Sequence, residues 1–162
     1  MSSEHQEGVD RVVSILEHAK IGNLTTLDLS GNLVSRPLEL QEVDSDGNLW
    51  FFTQDPSPKA DEIRANPNVN VSVADKKGYL SISGRAEISK DPEKIQELWK
   101  ASAAAWFEQG RNDPTIALIK VDTHTAEYWV LDEPKVASIF KIGRSAVTGK
   151  TPDIGKNDVV DL

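Results

Sequence analysis

Only three residues, Ser30, Gly31 and Asn32, separate the extended run Leu24–Leu29 from a second one over Leu33–Leu40. A turn that short can reverse a strand but cannot hold the crossover helix a parallel pair requires, so the two runs form an antiparallel hairpin. The same logic recurs downstream. Asp44-Ser45-Asp46-Gly47 is turn chemistry leading into Leu49-Trp50-Phe51-Phe52-Thr53, a run of strong β formers. Val69, Val71 and Val73 share one strand parity, Asp75-Lys76-Lys77-Gly78 turns the chain, and Tyr79–Ile88 runs back. Thr115–Val121 and Ala126–Leu131 read as a final strand pair, with His124 in the turn between them.

Helical spacing is confined to a few segments. Residues 8–20 place Val9, Val12, Val13, Leu16 and Ala19 on one face, and a short helix is expected over Lys59–Asn66, closed by Pro67. Asp91-Pro92-Glu93 starts a longer one, in which Ile95, Leu98, Trp99, Ser102, Ala103, Trp106 and Phe107 form an apolar stripe ending before Asn112-Asp113-Pro114. A short helix over Val136–Ile142 and a polar tail over Thr148–Leu162 complete the chain. The sum is a mainly β chain with helices (α+β): six antiparallel strands in a closed or nearly closed barrel, with a long helix packed on it. A chain of 162 residues is the size of one domain.

Composition narrows the function. A formal charge of −8 argues against a nucleic-acid partner, whose recognition rests on a basic surface. With no cysteine and three scattered histidines (His5, His18, His124), thiolate chemistry is excluded and no metal site is expected. No apolar run approaches the ~20 residues of a membrane span, and the first residues lack a secretory pattern. The expectation is a soluble, cytoplasmic protein with no membrane partner.

Two segments could bind an anion. In Ser35-Arg36-Pro37 a mid-strand arginine stands beside a proline that opens the ladder, offering a fork of donors to phosphate or carboxylate; the alternative is a solvent-facing strand arginine. In Phe52-Thr53-Gln54-Asp55-Pro56-Ser57-Pro58-Lys59 a strand runs into a helix start, where backbone amides, a serine hydroxyl and a lysine could cradle phosphate; otherwise Ser57 only caps the helix. Tyr79, Ser81 and Ser83 share one face of a strand that also holds Gly84, which marks a bulge or a close approach. Trp50, Trp99 and Trp106 are expected in the core or an interface, while Trp129, beside Tyr128, could stack on a flat ligand or pack between subunits. No nucleophile–base set stands out, which suits chemistry carried by a bound cofactor.

Taken in order, Ser35-Arg36-Pro37, Asp44–Thr53, Ser57-Pro58-Lys59, Asn66-Pro67-Asn68-Val69, Ser83-Gly84-Arg85-Ala86, Trp106-Phe107 with Gly110 and Asp113-Pro114, and Ala126-Glu127-Tyr128-Trp129 resemble the general stress protein branch of the pyridoxamine 5'-phosphate oxidase-like flavoproteins. The resemblance spans roughly residues 8–160. It implies an FMN-binding split β-barrel acting as a homodimer, with the flavin sites at the subunit interface. By that likeness Arg36 and Lys59 bind the FMN phosphate and Ser57 adds a hydroxyl. Ser35 and its backbone border the isoalloxazine ring, Phe52 and Thr53 lie at the flavin-contacting strand end, Tyr79 reaches in from the other subunit, and Trp129 closes the site. The chain lacks the arginine-rich substrate site of true pyridoxamine phosphate oxidases, so vitamin B6 oxidation is not expected. An FMN-dependent oxidoreductase with a small-molecule electron donor or acceptor is the preferred reading. A flavin carrier or sensor without turnover, and a dimeric interaction module without cofactor, are the rivals.

Overall fold

The computed structural model describes residues 2–130 and 156–162. Helix α1 (Ser3–Ala19) leads into strands β1 (Ile21–Leu27), β2 (Leu33–Val43) and β3 (Leu49–Gln54). Helix α2 (Pro58–Ala65) precedes β4 (Asn68–Asp75) and β5 (Gly78–Ser89). Helix α3 (Pro92–Leu98), a single turn at Ala101–Ala104, β6 (Ile116–Val130) and β7 (Lys156–Asp161) follow. Neighbouring strands run antiparallel in the order β3-β2-β1-β4-β5-β6-β7, and β3 pairs with β6 as well. That last pairing closes six strands into a barrel, as the turn pattern predicts, and leaves β7 as an addition on the far half of β6.

The barrel is filled by the inward parity of its strands. Leu24, Leu49, Phe51, Ile82, Ile119 and Val121 are completely buried in one apolar cluster with Val71 and Ala126. Each large side chain so buried contributes ~1.5–3 kcal/mol relative to exposure. Helix α1 adds Val12, Ile15 and Leu16 to this cluster, lying against Gly22, Leu40 and Val73 at one end of the barrel. Helix α2 closes the opposite end, where Ile63 is buried and Glu62 reaches Thr26.

Four expectations need correction or extension. The long helix on the barrel is α1, which begins at Ser3 with Ser2 as its cap, rather than the segment after Asp91. That segment is broken: Trp99 and Lys100 adopt extended backbone, and the turn sends the Trp99 ring against Phe52 and Phe107 at centroid distances of 5.8 and 5.9 Å. The final strand pair is one continuous strand, β6, and His124 stands inside it at a bulge where the β5 register shifts between Ser83 and Gly84. The polar tail contains β7, whose Val160 is buried against Gly8 of α1 and Tyr128 of β6. The helix expected over 136–142 lies outside the described residues.

Candidate functional site

Arg36 lies on the stretch of β2 that has β1 on one side and no strand on the other among the described residues, since β3 pairs only from Leu40 onward. The backbone amide of Leu40 donates to the Lys20 carbonyl, so residues of that parity turn their N–H groups toward β1. Pro37 has the other parity. Its nitrogen faces the open edge, where no ladder bond is lost.

Opposite Leu24, and therefore on the same face, Arg36 turns its side chain to the barrel end under α2. Its Nη1 donates to the Leu24 carbonyl at 3.3 Å and to Thr26 Oγ1 at 2.7 Å, and its Nη2 donates to Glu62 Oε2 at 3.2 Å. Thr26 Oγ1 in turn donates to the same Glu62 oxygen at 2.8 Å, closing a ring of three side chains. Both Nη1 protons and one Nη2 proton are thus engaged. The Nε proton and the other Nη2 proton lie parallel on one edge of the guanidinium and have no partner among the described residues, a fork of the spacing that carboxylates and phosphates accept.

Lys59 supplies the second cation. From the first turn of α2 its Nζ donates to Thr53 Oγ1 at 3.2 Å, and Thr53 itself is buried on the inward face of β3. Burial, and after it the nearby Arg36 charge, holds the Lys59 ammonium below the ordinary lysine value, while Glu62 pulls the other way. Ser57 caps α2 by accepting from the Ala60 amide at 3.2 Å, so the capping role is met; its hydroxyl proton stays available for a ligand. Two cations and one carboxylate leave the cluster a formal charge of about +1. The donor set of a guanidinium edge, an ammonium and a hydroxyl fits a terminal phosphate group without a metal.

The remaining predicted residues stand elsewhere. The Phe52 side chain points to the outer face of β3, packed edge-on against Trp99 and Phe107 at 5.8 and 6.1 Å. Ser35 faces outward and bonds to Thr25 Oγ1. Tyr79 and Trp129 are direct cross-strand partners on the outer face, 52% and 38% exposed. Around them that face is polar, with Asn70 donating to Ser81 at 3.0 Å. Trp50 is buried and donates to Asp44, whereas Trp106 is largely exposed.

Thr26 and Glu62 were missed by sequence reasoning. Signals for both exist. Thr26 shares the parity of buried Leu24, so it is a polar residue on an inward face, and Glu62 follows Lys59 by three residues on α2, within reach of the same helix face. Among the described residues no cluster of potential metal ligands occurs.

The family model described as pyridoxamine 5'-phosphate oxidase like matches residues 7–153. General stress protein 26 of Bacillus subtilis is 28% identical over 123 residues, covering 72% of this chain and 84% of that protein. Protein bli-3 of Neurospora crassa is 26% identical over 160 residues, covering 91% of this chain and 77% of that protein. Among solved structures, the general stress FMN/FAD binding protein of Xanthomonas citri superposes with a TM-score of 0.68 at 29% identity, covering 82% of this chain and 93% of that one. A match over nearly the whole barrel, joined to relatives of comparable length, settles the lineage: the chain belongs to the pyridoxamine 5'-phosphate oxidase-like family.

Proposed function

We propose that this protein is a cytoplasmic, homodimeric FMN-binding oxidoreductase of the general stress type, exchanging electrons with a small molecule. The observation that carries the reading is the unpartnered guanidinium edge of Arg36 beside the desolvated Lys59 at the start of α2. Bound FMN supplies the redox chemistry. Arg36 would bind its phosphate through the free guanidinium edge, Lys59 would neutralise the remaining charge, and Ser57 would donate its hydroxyl. Thr53 holds the Lys59 ammonium in place through their hydrogen bond. The description of the Xanthomonas citri relative as an FMN/FAD binding protein supports the cofactor class. The polar outer face bearing exposed Tyr79 and Trp129 suits a second copy of the chain, which would bring both aromatic side chains to the neighbouring flavin.

Incubation with excess FMN followed by gel filtration tests this. The protein is expected to elute as a dimer with flavin absorption at about one FMN per subunit, since each phosphate site lies within one chain. Replacing Arg36 and Lys59 together by alanine should weaken FMN at least about a hundredfold, because two charge-assisted contacts of ~1.5–3 kcal/mol each are lost. A double variant that keeps full affinity would sink the assignment. Reduction of the bound flavin by a nicotinamide nucleotide and its reoxidation by a small acceptor marks an enzyme, whereas a flavin inert to every donor marks a carrier.

A further inference from the structure

We infer that Glu62 and Thr26 are positioning residues for ligand phosphate: together they lock the Arg36 guanidinium so that its free edge, rather than its end, meets the anion. The inference rests on the proposed phosphate role of Arg36 and extends it to two residues that touch no ligand. Thr26 is 1% exposed and Glu62 9%, and the side-chain hydrogen bonds described for them go to this arginine and to each other. An arginine side chain left to itself samples many rotamers, and ordering it on ligand arrival costs free energy that a pre-formed ring has already met.

The ring also explains a carboxylate that is otherwise paradoxical. Glu62 opposes the charge a phosphate needs, yet it sits within the same cluster as Arg36 and Lys59. Its Oε2 accepts from both Nη2 and Thr26, so it occupies the end of the guanidinium and leaves only the edge of Nε and Nη2 for an incoming group. A single edge accepts one phosphate through two of its oxygens. The site therefore prefers a terminal phosphate, with three oxygens to distribute among Arg36, Lys59 and Ser57, over a flavin without phosphate.

Charge and geometry separate in three variants. Glu62→Gln keeps an oxygen in the ring and removes the charge; Thr26→Val keeps every charge and removes a ring member; Glu62→Ala removes both. The readout is the ratio of FMN to riboflavin affinity from flavin fluorescence, which general damage to the fold does not shift, with the thermal upshift by inorganic phosphate as a second probe. Glu62→Ala and Thr26→Val are each expected to lower the ratio about tenfold, an effect of the size of one charge-assisted hydrogen bond. Glu62→Gln should stay within about threefold of wild type or exceed it, since the opposing charge is gone. A Glu62→Gln as poor as Glu62→Ala, or a Thr26→Val as good as wild type, would overturn the inference. Wild-type protein that ignores FMN but is stabilised by inorganic phosphate, with the variants in the same order, would sink the flavin reading and leave this one standing. Protein indifferent to both probes sinks both.

Discussion

Asp55 shows how tightly single side chains are held at the junction between β3 and α2. Arg64 grips its carboxylate through both guanidinium ends, at 2.8 and 2.6 Å, and Lys90 lies 3.5 Å away. The Arg64 hydrogen bonds lower the Asp55 pKa to about 2, against an ordinary carboxylate value of 3.8. A carboxyl whose folded value lies below its unfolded one contributes stability above the unfolded value, and loses it as pH falls through the folded one. Unfolding midpoints measured in urea from pH 6 to 2 should therefore fall between about pH 4 and pH 2. Asp55→Asn, lacking that titration, should show a shallower acid limb and a lower stability at pH 6. Residues of this scale were legible where their signal is local. Arg36 announces itself through Pro37, and Lys59 through Ser57 and Pro58, all within a few positions. Glu62 and Thr26 meet across 36 positions of chain, a contact no local pattern encodes.

At the level of elements, Gly84 carries a local signal that the structure answers. A glycine inside a strand signals a bulge or a close approach, and here it marks both: the β5–β6 register shifts at Ser83 and Gly84, and a Cβ at Gly84 would lie 2.4 Å from the Asp122 carbonyl oxygen. Backbone oxygen cannot swing aside as a side chain would. Gly84→Ala should cost about 1–3 kcal/mol, read as a Tm several degrees below wild type. An unchanged Tm would show that the bulge can shift freely. The broken helix after Asp91 is the converse case. Its apolar spacing is genuinely helical, but the chain is extended at Trp99 and Lys100, where the Trp99 ring packs with Phe52 and Phe107, and aromatic pairs are worth ~0.5–1.5 kcal/mol each beyond their burial. Tertiary packing outweighs a weak local preference. Likewise the polar residues Asp122, Thr123 and His124 read as a turn, yet cross-strand pairing with β5 carries the strand through them.

For the whole molecule, strand types, hairpins and a closed or nearly closed barrel were readable from turn chemistry, while the pair of strands that closes it was not. The ring depends on β3 meeting β6, Leu49 opposite Val121 through Gln54 opposite Ile116, a pairing that sequence neighbours do not specify. The barrel core follows from it: Phe51 is fully buried only once Ile119 and Val121 stand on the same cluster. A chain ending at residue 115 keeps the β1–β2, β2–β3 and β4–β5 hairpins but cannot close, and is expected to lack a cooperative thermal transition; a sharp transition in that fragment, followed by circular dichroism, would show that closure is dispensable.

The distance between those two strands along the chain also has a cost in time. A ribosome adding about 5–20 residues per second finishes β3 roughly 3–14 s before β6, which lies some 60 to 70 positions later. Throughout that interval Leu49-Trp50-Phe51-Phe52 offers an unpaired strand edge rich in aromatic side chains, the kind of segment that chaperones and other nascent chains capture. In the cell, the stickiest stretch of this protein is also among the longest to wait for its partner.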